Sequence, residues 1–247
     1  MKNVALSFVS LILIASPANG QDKIWSAKVE LGASAFFGNT SQTAITSALS
    51  GNVQKGKVEL DGRAGYVYGQ ASNAEGERSM NKRTWDGSAN LNWDTGAKFN
   101  GFLRGKIESI FEKKIDLRYN AGVGGRYQFQ NSDLGRIEAS LALLAEKTVV
   151  AGVIKKGELG PVWSARFKLS RTFNEGRIKF DTDSTWEPTA LGLSVFTFTS
   201  RNSVAFQVSQ RIAISLSFVD SYDTRSQERG AKSNNDGQIF FSLVSTF

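Results

Sequence analysis

Asp236-Gly237-Gln238-Ile239-Phe240-Phe241-Ser242-Leu243-Val244-Ser245-Thr246-Phe247 is the stretch whose reading decides the fold. Ile239, Phe241, Leu243 and Phe247 fall on one face, and Gln238, Ser242 and Thr246 fall on the other. A period of two over a dozen residues is that of an extended strand. The strand ends on an aromatic ring with no polar tail behind it, which suits a membrane surface, where such rings rest at the headgroup level. The expectation is an all-β chain forming a transmembrane antiparallel up-and-down β-barrel, closed by this strand.

Outward from that strand, composition narrows the classes. The chain has 247 residues with only three prolines and neither cysteine nor histidine. Without cysteine there is no disulfide, thiolate nucleophile, zinc ribbon or lipid-modified amino-terminal cysteine. Without histidine the commonest general base and transition-metal ligand is missing. At the amino terminus Lys2 precedes an apolar run from Val4 to Ala15, then Pro17, with small residues at Ala18 and Gly20. That pattern predicts a signal peptide over residues 1–20, Gln21 as the first mature residue, and a single outer-membrane β-barrel domain over residues 21–247. No later apolar run approaches the roughly 18 residues of a transmembrane helix.

The body of the chain repeats the alternation of the last strand. Trp25, Ala27, Val29 and Leu31 alternate with Ser26, Lys28 and Glu30; Val58, Leu60, Ala64, Tyr66 and Tyr68 alternate with Lys57, Glu59, Asp61 and Arg63. Further segments follow near Trp85 to Trp93, Phe99 to Phe111, Leu117 to Phe129, Ile137 to Leu143, Leu159 to Leu169, Ile178 to Trp186, Phe196 to Val208 and Ile212 to Tyr222. With a weaker second strand through Ile45, Leu49 and Val53, about twelve strands are predicted. Ten result if that strand and the ambiguous Thr189 to Val208 region are misassigned. Pro188 is expected to end the ninth.

Connections after the even-numbered strands read as tight turns. Those after strands three, seven, nine and eleven read as longer loops, including Gly69 to Arg83 and Glu187 to Val195, as in a barrel with short periplasmic turns and longer outer loops. Aromatics collect where girdles would lie: Trp25, Trp93 and Phe247 at the inner edge, and Tyr66, Tyr68, Trp85, Tyr119, Trp186 and Tyr222 at the outer. Period-two patterning alone does not separate a membrane barrel from a lipocalin-like one, whose apolar face points inward. The girdles and the loop alternation favour the membrane.

The polar face must then line a lumen, since lipid penalises midplane basic residues by roughly 2 to 4 kcal/mol each. It carries a mixed charge network: Lys28, Glu30, Lys57, Glu59, Asp61, Arg63, Arg104, Lys106, Glu108, Arg118, Arg126, Glu138, Arg166, Lys168, Asp181 and Asp183. The signs nearly balance, so the side chains either pair and fill the interior or leave a passage. The positive excess falls in the outer connections, where Lys147, Lys155 and Lys156 are candidates to face lipopolysaccharide phosphates.

The amino-terminal Trp25, Glu30-Leu31-Gly32 and Gly38-Asn39-Thr40, the glycine-rich Ala121-Gly122-Val123-Gly124-Gly125-Arg126-Tyr127 and the final Phe247 together resemble a family of uncharacterised bacterial proteins described as salt-induced outer-membrane proteins. The resemblance covers nearly the whole mature chain. It implies an outer-membrane barrel of unknown activity linked to salt or osmotic conditions, and it supplies no catalytic residues.

An enzyme is not expected. Outer-membrane lipases and proteases commonly rely on a histidine that this chain lacks. Asp181 and Asp183 lie at i, i+2 on one strand face and read as part of a salt-bridge ladder. No loop has calcium-ligand spacing, so neither metal nor cofactor is expected. Nucleic acid is not an expected partner, because the basic residues are dispersed over alternating strands. The expected partners are outer-membrane lipid, lipopolysaccharide and the barrel assembly machinery, the last through the C-terminal strand. The expected role is non-enzymatic, in the Gram-negative envelope; a narrow passive diffusion channel for small polar or ionic solutes is the alternative. A receptor or adhesin is disfavoured by the modest loops.

Overall fold

The computed structural model describes residues 25–37, 42–72, 78–132, 134–152 and 159–247. The predicted signal peptide, Gln21, the turn at Gly38-Asn39-Thr40, Lys155 and Lys156 lie outside the described residues. Twelve strands form: β1 (Trp25–Phe37), β2 (Gln42–Lys55), β3 (Val58–Ser72), β4 (Arg78–Trp93), β5 (Phe99–Ile110), β6 (Ile115–Ser132), β7 (Gly135–Val150), β8 (Leu159–Phe173), β9 (Ile178–Thr189), β10 (Gly192–Gln207), β11 (Ile212–Asp223) and β12 (Asn235–Thr246). Each pairs with its sequence neighbours, and β1 pairs with β12, so the sheet is a closed antiparallel barrel. At the seam Phe247 N–H donates to Ala27 C=O at 2.9 Å and Ala27 N–H donates back at 3.3 Å. Closure matters because hydrocarbon offers no partner to an open sheet edge.

The strands run from 12 to 18 residues. Even the shortest spans about 40 Å at 3.3 Å per residue, enough to cross a roughly 25 Å apolar band while tilted. The alternation puts Leu31, Ile45, Leu60, Leu103, Val123, Leu141, Phe206 and Phe241 on the outer surface, all exposed. Asn92, Asn100, Glu108, Asn120, Glu138, Ser164, Ser215 and Ser242 point inward and are buried.

The lumen wall is less uniformly polar than its charges suggest. Phe102, Ala142 and Leu144 form a buried apolar cluster on the inner face of β5 to β7. The glycine-rich segment of β6 makes room for it. A Cβ on Gly124 would stand 2.5 Å from the Phe102 ring and 2.6 Å from Leu141 C=O, and one on Gly125 would stand 2.7 Å from the Phe99 ring on the opposite face. The glycines therefore seat one ring inside the barrel and another outside it.

The outer wall also has a polar break across β9 and β10. Thr182 and Ser184 on β9 share their face with Trp186, and Ser200 and Asn202 on β10 share theirs with Phe206; paired residues stand opposite one another in the register. The four satisfy each other. Thr182 Oγ1 donates to Asn202 Oδ1 at 3.0 Å, Asn202 Nδ2 donates to Ser200 Oγ at 3.2 Å, and Ser184 and Ser200 hydroxyls lie 2.9 Å apart.

The outer connections differ from expectation. β3 and β4 extend to Ser72 and from Arg78, so most of the predicted loop from Gly69 to Arg83 is strand. The predicted loop from Glu187 to Val195 is a tight hairpin, because β9 runs through Pro188 to Thr189 and β10 begins at Gly192. Proline has no N–H to give the ladder, and the break appears as a register shift between Gly192 and Phe196 opposite it. The stretch from Glu112 to Asp116, between the fifth and sixth predicted strands, contains the end of a 3-10 turn, Phe111–Lys113, and the start of β6.

Candidate functional site: the lumen and its outer mouth

The 3-10 turn folds into the barrel mouth. Its last residue is followed by Lys114 at φ 57, a left-handed conformation that reverses the chain into β6. Glu112 and Lys113 are both buried. Glu112 pairs with Lys82 of β4 and accepts from Thr84 Oγ1 at 3.2 Å. Lys113 extends the other way, with only 4% of its side chain exposed. Its Nζ donates to Ser221 Oγ at 2.8 Å and to Ser221 C=O at 3.3 Å on β11, and lies 3.9 Å from Asp236 on β12. Since β5 and β11 are six strands apart in a ring of twelve, this side chain bridges opposite walls.

A second arm closes the mouth beside it. Arg229, in the connection after β11, donates to Asp223 Oδ2 at 2.5 Å and from Nε to Lys113 C=O at 3.2 Å. Arg118 of β6 lies 3.6 Å from Asp223 and 2.5 Å from Glu108. Four cations, Lys82, Lys113, Arg118 and Arg229, thus face four carboxylates, Glu108, Glu112, Asp223 and Asp236. Burial holds the Lys113 ammonium below its ordinary value, while Asp236 and Asp223 pull it back up.

Below the mouth the lumen contains a cavity of about 340 Å³. Arg63 approaches Glu30 at 3.9 Å, Lys179 meets Asp181 at 3.0 Å, and Arg166 Nε donates to Asp183 Oδ1 at 2.7 Å. Glu138 is shared by three cations: Arg136 at 2.6 Å, Lys168 at 3.7 Å and Arg126 at 3.8 Å. The Arg136 contact is ionic without the angle of a hydrogen bond, so both atoms remain without one. On the β10 and β11 side the wall beside Arg201 is short, made by Ser203, Ser215 and Ser217.

The residues predicted for the lumen are brought together with one exception. Lys28, Glu30, Arg63, Glu138, Lys168, Asp181 and Asp183 line the cavity. Glu59 and Asp61 accept from Asn52, and from Asn90 and Asn92. Arg104 meets Glu187 at 3.5 Å, Lys106 meets Glu108 at 2.7 Å, and Arg126 donates to Asn100 Oδ1 at 2.8 Å. Lys57 is the exception and corrects the expectation. It stands in the β2–β3 turn after Gly56, whose φ is 59, and its 83% exposed side chain pairs with Asp94 of the next turn at 3.2 Å.

Of the outer-rim lysines, Lys147 is on a strand and not in a loop; on β7 it shares the outer face with Tyr119 and Leu159. Trp25, Tyr66, Trp85, Trp93, Tyr119 and Trp186 are exposed on the outer wall. Tyr68 stands opposite Arg83, Tyr222 stacks on Phe196 with centroids 5.6 Å apart, and Phe247 closes the seam. Of the mouth residues, Asp236 falls in the predicted closing strand, whereas Lys82, Glu112, Lys113 and Arg229 fall between predicted strands. The signal of these four was a run of charge between strands, which in sequence looks like any solvated loop.

Comparison with curated proteins finds no match. Among solved structures, the KdgM porin in complex with disordered oligogalacturonate aligns with a TM-score of 0.52 at 8% identity, covering 89% of this chain and 99% of that one. The NanC porin aligns with a TM-score of 0.55 at 8% identity, covering 88% and 98%. Likeness at that identity is one of fold, and the fold is that of porins, barrels of the bacterial outer membrane. The profile of one family matches residues 29–247. This closed, porin-like barrel therefore belongs to the family described as "Protein of unknown function, DUF481".

Proposed function

We propose that the protein is a narrow, non-enzymatic diffusion channel for small polar or ionic solutes whose outer mouth is held shut by ion pairs. The observation that carries this reading is the charged, hydroxyl-lined cavity of about 340 Å³ inside a closed barrel, beneath a mouth spanned by Lys113 and Arg229. A barrel meant only as a filled structural wall would have no need of such a cavity. Catalysis finds no support, because the carboxylates at Asp181 and Asp183 are engaged by Lys179 and Arg166 and no histidine is present. Planar-bilayer recording of the refolded mature chain tests the channel. Discrete steps are expected, rare in the wild type and more frequent in Arg229→Gln. Silence from both, in protein whose heat-modifiable mobility proves it folded, defeats the reading.

The role we assign is adaptation to salt, because the closure is ionic. Export by residues 1–20, insertion by the barrel assembly machinery through β12, and contact of Lys147, Lys155 and Lys156 with lipopolysaccharide phosphates belong to the same proposal. Replacing all three lysines with glutamine should lower the lipopolysaccharide that copurifies with the barrel; unchanged lipid content removes that contact.

A further inference from the structure

We propose that the cavity is an anion-binding subsite, taking a compact solute with a carboxylate or phosphate group, and that Lys28 and Arg201 are its primary ligands. This rests on the channel reading and adds the solute class to it. The cavity is lined by six cations, Lys28, Arg63, Arg136, Lys168, Lys179 and Arg201, and by four carboxylates, Glu30, Glu138, Asp181 and Asp183. Every one of those carboxylates already has a cation, at Arg63, at Arg136 and Lys168, at Lys179 and at Arg166. Among the described residues neither Lys28 nor Arg201 has a carboxylate within 4 Å.

Lys28 and Arg201 line one cavity and both feel the positive charge of Arg63, so an anion bound beside them offsets that repulsion. The geometry favours an oxyanion over a halide. A guanidinium presents paired N–H donors that fit two oxygens of one group, and Arg201 is held over the Phe240 ring, its Cζ 5.4 Å from the centroid. Ser203, Ser215 and Ser217 supply short hydroxyl donors on the same side of the cavity. Small side chains there leave the room that long ones would fill.

Binding is measured on the folded barrel in detergent, without need of conduction, by calorimetric titration with inorganic phosphate and separately with citrate. Lys28→Gln combined with Arg201→Gln should weaken both by about tenfold or more, since a charge-assisted hydrogen bond is lost at each position. Arg201→Lys keeps the charge but loses the paired donors, and should weaken phosphate by a smaller factor; it serves if the double variant does not fold. Lys57→Gln, on the exposed turn, should leave binding as it is. Equal affinity in wild type and double variant overturns the subsite, as does absence of binding to the wild type. Binding without channel steps overturns the channel and leaves the subsite standing; steps without binding do the reverse.

Discussion

The hydrogen-bonded quartet on the outer wall can be tested one hydroxyl at a time. Asn202 Oδ1 accepts from Thr182, whereas Ser200 Oγ meets both Asn202 and Ser184. Thr182→Val removes the side-chain donor to the Asn202 carbonyl and leaves it facing hydrocarbon, which costs about 1 to 3 kcal/mol. Ser184→Ala leaves Ser200 with its Asn202 donor, so its cost should be below about 1 kcal/mol. Denaturant unfolding of the two variants in detergent or lipid checks the order; equal stability would mean that the quartet does not face hydrocarbon. The sequence shows Thr182, Ser184, Ser200 and Asn202 at the right parity but not their register. Opposite pairing of Thr182 with Asn202 is a property of two strands, and neither strand carries it alone.

The element that sequence periodicity misses is the 3-10 turn Phe111–Lys113. Three residues are too few to show a period, and Glu112 and Lys113 have the composition of a solvated loop. Their burial depends on partners far along the chain, Ser221 and Asp236 among them, which no local pattern reveals. The strands, in contrast, were legible from alternation over 12 residues or more, and the tight periplasmic turns from glycine, asparagine and aspartate. The turn also carries a pH signature. Burial lowers Lys113 from the ordinary 10.5, although Asp236, Asp223 and Glu108 oppose this; Arg118 adds to the lowering. Between the lowered value and 10.5 the unfolded chain keeps a proton that the folded chain has shed, so this group makes stability rise with pH through that window. Below the window both states are protonated and the folded one carries the full desolvation penalty. Lys113→Met should flatten that part of the alkaline stability profile relative to wild type, measured as unfolding midpoints at stepped pH. Parallel profiles would mean that the ammonium is solvated and the turn does not enter the mouth.

At the scale of the whole molecule, the barrel is a closed ring of twelve strands, and the proposed channel requires its mouth to open. The backbone ladder closes on itself through β1 and β12, so local opening of the wall would expose unpaired polar groups to lipid. Opening the mouth breaks no strand pairing; it separates Lys113 from Ser221 and Asp236, and Arg229 from Asp223. The structure holds these charges in pairs, and the proposed open state would return them to water. Added salt stabilises separated, solvated charges more than pairs already buried against one another, because the screening length falls from about 10 Å at 0.1 M to about 3 Å at 1 M and acts chiefly on exposed charge. The fraction of time spent open should therefore rise over that range, beyond the growth in current that bulk conductivity alone produces. Arg229→Gln removes one arm of the bridge and should move the rise to lower salt, while Lys57→Gln, whose ion pair lies on the exposed β2–β3 turn, should not move it. Single-channel recording at stepped potassium chloride separates open time from conductance. Open time independent of salt, in wild type and Arg229→Gln alike, would detach the ionic mouth from any response to salt and leave the barrel a channel controlled by something other than its charge pairs.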